Sequence, residues 1–199
     1  MNDFNFSELI SGLETNGYVV IQQFLAEEII ANLRELALSA YHRQLTHKAQ
    51  TGLSQSDTEN LRGDHIIWLD DASGNANIQH YLSQMITLKI ILNKAFYLSL
   101  ESLESHFSVY PIGTGYAKHL DQFHTQKTRK ISSILYLNGH WQADDGGCLR
   151  LYLSPLEHLD IQPTGGQFVL FDSARFFHEV LPAKRERVSI AGWFKTRPN

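Results

Sequence analysis

The chain of 199 residues is poor in cysteine and proline and has no long apolar segment. Its single cysteine, Cys148, excludes a disulfide within the chain. No run of 18 apolar residues is present, so we expect no transmembrane helix. The first residues lack the basic and apolar regions of a secretory signal, and we therefore expect a cytoplasmic protein.

Charge is also scarce and nearly balanced. Seventeen Lys and Arg residues oppose 21 Asp and Glu residues, which gives a formal net charge of −4. Such a balance produces no general attraction to nucleic acid or to an anionic membrane, and we expect neither as a partner. Hydrophobic residues make up 43% of the sequence, which is enough for a single globular domain over residues 1–199 with a sizeable core.

The hydrophobic periodicity of residues 1–104 predicts helices that support the rest of the domain, together with one polar loop. The predicted elements are helices over Ser7–Thr15, Ala26–His42 and Ile78–Leu100 and a short strand over Tyr18–Ile21. Ser7 is expected to cap the first helix, and Asn16-Gly17 to end it. The segment Gln50–Asn60 is polar and has no period, which favours a surface loop or a lid over a substrate.

The sequence pattern of residues 105–199 predicts a β-core, in which short strands are separated by turn residues. Eight candidate strands are His106–Tyr110, Ala117–Leu120, Ile131–Asn138, Cys148–Leu153, His158–Gln162, Gln167–Phe171, Glu179–Leu181 and Arg187–Phe194. Gly, Pro and Asp mark the breaks between them. This number and spacing are typical of a double-sheet jelly roll or a related barrel. The predicted fold class is therefore mainly β with N-terminal helices.

His119 and Asp121 form a His-x-Asp pair at the end of a predicted strand. Because side chains alternate along a strand, both should point to the same face. The distant His178 would complete a triad of two imidazoles and one carboxylate, the pattern of a non-haem Fe(II) oxygenase, which leaves coordination sites open for substrate and dioxygen. The chain has ten histidines, so a chance pair whose imidazoles bind only backbone groups is the alternative.

Arg187 opens the last predicted strand, nine residues after His178. Its face of that strand carries small and polar residues such as Ser189, whereas the opposite face is apolar, so Arg187 should point into the interior. A buried guanidinium without a partner is costly, and this position therefore predicts a bound anion, either a protein carboxylate or that of a small ligand. Tyr136, on another predicted strand, would either donate its hydroxyl to the same carboxylate or merely pack.

Two further residues are candidates for the surroundings of this pocket. Tyr110, before a proline, and Arg129, at the start of a strand, are expected near its mouth. Arg62-Gly63-Asp64 is interpreted as a local Arg–Asp ion pair that holds a turn.

These residues and their flanking sequence resemble the 2-oxoglutarate/Fe(II) prolyl 4-hydroxylases, and among them the hypoxia-factor prolyl hydroxylase branch and its bacterial relatives. The similarity extends over about residues 52–196. It is carried by Arg62-Gly63-Asp64 with Trp68, Tyr110-Pro111, Gly115 to Asp121, Leu135 to Asn138, Trp141, Gly146 to Leu151, His178 to Ala183, Arg187 and Trp193.

The resemblance implies a dioxygenase domain with a double-stranded β-helix core, and it implies a role for each matching residue. The catalytic centre and the ligands of Fe(II) would be His119, Asp121 and His178. The pocket for 2-oxoglutarate would be formed by Arg187 and Tyr136, which would bind its distal carboxylate, and by Tyr110. The incoming peptide would lie near Arg129, Arg62 and the loop Thr51–Arg62.

The implied reaction is hydroxylation of a prolyl residue at its 4-position in a protein substrate, with release of succinate and CO2. Its cofactors would be Fe(II), 2-oxoglutarate, O2 and ascorbate. Bacterial relatives act on elongation factor Tu, so a translation factor is the implied partner. Two alternatives stay open: an oxygenase of the same fold that acts on a small molecule, and a non-catalytic module that senses 2-oxoglutarate or a metal.

Overall fold

The computed structural model of the chain describes residues 6–48, 62–70, 73–122 and 127–198. The predicted lid over Gln50–Asn60, and the loop Thr51–Arg62 apart from Arg62 itself, lie outside the described residues. Within these ranges, no helix combines the length and the apolar character needed to span a membrane.

Three helices lie in the described part of the N-terminal half. They are α1 (Phe6–Asn16), α2 (Glu27–His42) and α3 (Ala76–Phe96). The predicted cap at Ser7 is wrong, because α1 already includes Phe6 and Ser7 lies inside its first turn. Gly17 follows α1 with a φ of 80°, a left-handed conformation that glycine adopts at low cost, so the predicted end of this helix is confirmed.

Both ends of α3 are defined by asparagine side chains. Asn75 caps its start, where the side-chain oxygen accepts hydrogen bonds from two backbone N–H groups of the first turn at 3.0 and 3.3 Å. The helix ends at Phe96, short of the predicted Leu100, because Tyr97 is left-handed with a φ of 54°. Asn93 then binds both backbone polar groups of Leu100, at 2.7 and 2.8 Å, which gives the chain a non-helical route out of α3.

Eleven strands are present in the described ranges. They are β1 (Tyr18–Ile21), β2 (His47–Lys48), β3 (His65–Trp68), β4 (Ser102–Tyr110), β5 (Tyr116–His119), β6 (Arg129–Tyr136), β7 (Leu149–Tyr152), β8 (His158–Ile161), β9 (Phe168–Asp172), β10 (His178–Val180) and β11 (Arg187–Lys195). All eight strands predicted for the C-terminal half form, with shifted boundaries. The sequence predicted β1 but not β2 or β3.

The strands form two antiparallel sheets. The large sheet has the order β1-β9-β6-β11-β4-β3-β2, and the small sheet has the order β5-β10-β7-β8. The N-terminal half is thus more than a helical support, because β1 pairs with β9 and β3 pairs with β4. The predicted class, mainly β with a jelly-roll core and N-terminal helices, is confirmed.

The core of the protein consists of two apolar clusters. One lies between the sheets and includes Leu149, Val169 and Phe171. The other packs α1, α2 and α3 against the outer face of the large sheet and includes Leu170 and Ile190. As a result β11 is buried on both faces, with its apolar side chains toward the helices and Arg187 and Ser189 among its buried polar residues.

Asn138 joins three segments near the start of β11. Its side chain is fully buried, accepts a hydrogen bond from the backbone N–H of Val188 at 2.7 Å and donates one to the carbonyl of Pro163 at 2.7 Å. Its own carbonyl accepts from the N–H of Gly165 at 2.7 Å. This side chain therefore fixes the backbone immediately after Arg187.

We expect Asn138→Ala to lower the free energy of unfolding by about 3 kcal/mol, because two buried backbone groups lose their partners at roughly 1–3 kcal/mol each. Urea denaturation monitored by circular dichroism measures this loss. The matched control is Asn93→Ala, which removes two similar bonds in a half-buried place that water can reach, and should cost about 1 kcal/mol. Equal losses in the two variants would contradict burial as the cause.

Candidate functional site

The central feature of the site is the antiparallel pair of β5 and β10, in which His178 lies opposite His119. Asp121 lies two residues after the end of β5. Nε2 of His119 lies 3.6 Å from one carboxylate oxygen of Asp121, and Nε2 of His178 lies 3.6 Å from the other. The three potential ligand atoms lie within 4.8 Å of one another. Elsewhere in the described ranges, no comparable group of metal-binding side chains occurs.

Both imidazoles are oriented in the same way by the backbone. Nδ1 of His119 lies 2.8 Å from the carbonyl of Ala117, and Nδ1 of His178 lies 3.1 Å from the carbonyl of Phe176. A carbonyl oxygen can only accept, so each Nδ1 carries the proton and each Nε2 keeps its lone pair. Both lone pairs are thus available to a metal ion, as in many metal sites where backbone carbonyls fix the ligand tautomer.

Asp121 is buried and held by serine hydroxyls. Ser132 Oγ donates to its carboxylate at 2.7 Å, and Ser173 Oγ lies 2.8 Å from Ser132 Oγ. Burial raises the pKa of Asp121, but the imidazoles of His178 and His119 and the bond from Ser132 outweigh it and hold the pKa well below its usual range. Burial lowers the pKa of His178 to about 4. The site therefore offers an anionic carboxylate beside a neutral imidazole at neutral pH.

A second buried group, Arg187, faces the interior between the sheets. Its Nε donates to the carbonyl of Gly147 at 2.9 Å, and one terminal nitrogen lies 3.4 Å from Ser189 Oγ. Its guanidinium carbon lies 5.1 Å from the ring centroids of both Tyr110 and Tyr136. The structure thus brings together the three residues that the sequence assigned to one pocket.

This pocket has polar groups that no described side chain satisfies. Arg187 is 1% exposed and has no carboxylate partner in the part of the chain that the structure describes. Its Nη2 and the hydroxyl of Tyr136 are both buried and lack a hydrogen-bond partner there. Burial raises the pKa of Tyr136 to about 12, so its hydroxyl stays protonated and can donate. The arrangement suits a ligand carboxylate, which would satisfy both donors and the positive charge.

Arg129 lies near the triad, on the face of Trp193. Its guanidinium carbon is 3.6 Å from a ring centroid of Trp193, and one nitrogen donates to the backbone carbonyl of Asp121 at 3.3 Å. Glu104 lies 3.7 Å from it and also pairs with Lys195. The aromatic face and the carboxylate hold this cation beside the metal ligands, where the sequence predicted a substrate contact.

Arg62 was also predicted as a substrate contact, and that role stays a prediction. Its side chain is largely buried and forms a bidentate ion pair with Asp64, at 2.6 and 3.1 Å. The interpretation of Arg62-Gly63-Asp64 as a local ion pair is therefore confirmed. The guanidinium of Arg62 also covers the ring of Tyr116, which precedes His119 on β5.

Sequence reasoning missed several residues that support the site. Ser132 shares a strand face with Tyr136, so the two-residue period along β6 was a usable signal for it. No such signal pointed to Gly147. A Cβ at this position would lie 2.9 Å from Ala183 and 3.1 Å from Trp141. Glycine therefore fits where a larger residue would clash, and its carbonyl can accept the hydrogen bond from Arg187. The contact of Tyr116 with His119 was also missed, although the two lie on one short strand.

Comparisons with known proteins agree with this geometry. The profile of the 2OG-Fe(II) oxygenase superfamily matches residues 105–195. A prolyl-4-hydroxylase from Pseudomonas putida is 35% identical, with 96% of this chain aligned to 99% of that one and a TM-score of 0.89. A Trichoplax adhaerens prolyl hydroxylase, solved with a peptide of the hypoxia-inducible factor oxygen degradation domain, is 26% identical over 95% of this chain and 88% of its own, with a TM-score of 0.84.

A longer relative also aligns with nearly the whole chain. The hypoxia-inducible factor prolyl hydroxylase of Caenorhabditis elegans is 29% identical over 210 residues, which is 94% of this chain. The chain spans 27% of the length of that nematode protein.

The buried His106, on β4 beside Arg62, leads to a prediction about acid stability. Burial, and then the charge of Arg62, lower its pKa to about 4. Since the unfolded chain binds a proton near pH 6.5, folding should be unaffected by His106 above that pH and opposed below it. We expect the free energy of unfolding to fall by about 2 kcal/mol from pH 6.5 to pH 5 on this account, at roughly 1.4 kcal/mol per pH unit.

Denaturation of metal-free protein at several pH values tests this expectation. His106→Gln should flatten the acid limb of the stability profile. His80→Gln, which removes an exposed imidazole from α3, is the matched control and should keep the slope of the wild type. An unchanged slope in His106→Gln would show that this buried histidine is not a cause of acid sensitivity.

Proposed function

Because the chain belongs to the prolyl 4-hydroxylases of the 2OG-Fe(II) oxygenase superfamily, we propose that it hydroxylates a prolyl residue at the 4-position in a protein substrate. Members of this superfamily use Fe(II), 2-oxoglutarate and O2. One observation carries the proposal: the interior between the two sheets contains both a triad of metal-binding side chains and a buried guanidinium that has no carboxylate partner among the described residues.

The triad fits a divalent metal ion. Imidazole nitrogens and carboxylate oxygens bind such ions at roughly 2.0–2.2 Å, so two ligand atoms of one ion can be at most about 4.4 Å apart. The distances of 3.6 Å from Asp121 to each histidine satisfy this limit. Three protein ligands would leave further coordination positions of the ion open to co-substrate and O2, the pattern of non-haem Fe(II) oxygenases.

The second pocket fits 2-oxoglutarate. Arg187 and Tyr136 present buried donors without partners among the described residues, and a dicarboxylate supplies the missing acceptor and the missing negative charge. Each charge-assisted hydrogen bond contributes roughly 1.5–3 kcal/mol. With the distal carboxylate held there, the 2-oxo acid end of the molecule would be free to bind a metal ion at the triad.

When bound, Fe(II) and 2-oxoglutarate supply the oxidising chemistry: one atom of O2 enters succinate as CO2 is lost, and the other enters the C4–H bond of the proline. The chain's own residues bind and orient. Ser132 holds the Asp121 carboxylate, backbone carbonyls hold both imidazoles, and the apolar cluster between the sheets excludes water.

A peptide substrate would approach the triad beside Arg129, whose guanidinium lies on the buried ring of Trp193 and donates to the backbone carbonyl of Asp121. The prolyl hydroxylase from Trichoplax adhaerens binds such a peptide. No observation on this site specifically favours a small-molecule substrate or a sensor without turnover.

Binding of Fe(II) and 2-oxoglutarate to the anaerobic protein tests the site. We expect a metal-to-ligand charge-transfer absorption band that His178→Ala abolishes, because the variant loses one of three ligands. Arg187→Met should keep Fe(II) binding and weaken 2-oxoglutarate by about 10–100-fold, as expected when a charge-assisted hydrogen bond is lost.

Arg197→Met is the control for the loss of a cation, since Arg197 is exposed and pairs with Glu101 on the surface. It should bind both molecules like the wild type. A band that survives in His178→Ala would contradict the metal assignment, and equal 2-oxoglutarate affinity in Arg187→Met would contradict the anion pocket.

The substrate itself is expected to be a translation factor such as elongation factor Tu, a partner that follows from the resemblance to bacterial relatives. Mass spectrometry of the host proteome, with and without an active copy of this protein, should reveal a 16-Da gain on one proline that needs Asp121 and His178. A proteome without such a difference would count against prolyl hydroxylation. A cytoplasmic location and a need for ascorbate stay predictions.

A further inference from the structure

A buried carboxylate, that of Asp64, has no part in the proposed reaction. Asp64 is fully buried and accepts three hydrogen bonds, two from Arg62 at 2.6 and 3.1 Å and one from Ser108 Oγ at 2.8 Å. Burial raises the pKa of Asp64, but Arg62 outweighs it and the pKa lies below its usual value. The ionised carboxylate therefore fixes the plane of the Arg62 guanidinium.

Arg62 connects this carboxylate to the first histidine of the triad through an aromatic ring. Its guanidinium carbon lies 5.0 Å from the ring centroid of Tyr116. That ring is stacked on the imidazole of His119, with a centroid distance of 3.7 Å and an interplanar angle of 19°. The backbone supports the stack, because Arg62 and Tyr116 form a β-bridge and the N–H of Gly63 donates to the carbonyl of Gly115 at 2.9 Å.

The two histidines of the triad differ in how their rings are held. The side chain of His178 is 5% exposed and meets Phe171 edge-on in the core, at 4.8 Å. The side chain of His119 is 20% exposed, near the end of the small sheet. Its Nδ1 hydrogen bond fixes one ring atom, but a ring can still tilt about a single bond. Tyr116 covers one face of the imidazole and opposes that tilt.

We propose that Asp64, Arg62 and Tyr116 are positioning residues that hold the His119 imidazole in the orientation a metal ion requires, and so set metal affinity without touching the metal. This inference rests on the proposed metal site, but not on prolyl hydroxylation. Outer groups that orient metal-binding histidines typically change metal affinity by about 10–100-fold. A purely structural role for the stack would change stability and leave the affinity of the folded protein unaltered.

The test is a Co(II) titration of the metal-free protein, followed by visible absorption. Arg62→Lys keeps a cation for Asp64 but removes the planar group over Tyr116, and Tyr116→Leu removes the ring over His119. We expect each to weaken Co(II) binding by about tenfold. The double variant should bind no more weakly than Tyr116→Leu alone, because both changes act through one stack. Tyr116→Phe keeps the aromatic face and should bind like the wild type.

Asp160→Asn is the matched control. This variant breaks another bidentate Arg–Asp pair, in which Arg150 donates to Asp160 at 2.8 and 2.8 Å. That pair is exposed, and in the described structure it has no ring contact with a residue of the triad. The Co(II) affinity of this variant should be unchanged. Wild-type affinity in Arg62→Lys and Tyr116→Leu, or additive losses in the double variant, would overturn the inference. A wild-type protein that binds no Co(II) would overturn the proposed metal site as well.

Discussion

The two imidazoles of the site face one another only because β5 and β10 pair in one register. A shift of one residue would turn a histidine to the outer face of the small sheet, since side chains alternate along a strand. The strands approach closely beside this pair: a Cβ on Gly115 would lie 2.3 Å from the carbonyl oxygen of Val180. The pairing of the backbone therefore determines which side chains meet at the metal site. Other side chains, such as Ser132, then orient these ligands.

A second constraint is the separation of two buried charges. Asp121 and Arg187 have opposite charge and lie in the same sandwich, yet no ion pair between them is present in the described structure. Asp121 is surrounded by imidazoles and a hydroxyl, and Arg187 by a carbonyl, a hydroxyl and two aromatic rings. Each buried charge is therefore best balanced by a ligand of opposite sign, a cation at one end and a carboxylate at the other.

The strand pattern and the shared face of His119 and Asp121 could be predicted from the sequence because both depend on local periodicity. The alternation along β11 indicated that Arg187 and Ser189 share an interior face, and the structure confirms that both are buried. The end of α3 could not be predicted, because Tyr97 adopts a left-handed conformation without the glycine that usually signals one. The stack of Arg62 on Tyr116 was also beyond prediction, since it joins segments far apart in sequence.

The pairing of β1 with β9 brings one of the first strands of the chain beside one of the last. During synthesis, β1 leaves the ribosome long before its partner exists, and the large sheet cannot be completed until β11 has been inserted between β4 and β6. Long-range pairings of this kind slow folding, because the entropy of closing large loops is lost before most contacts form. The nascent chain therefore exposes unpaired strand edges for most of its translation.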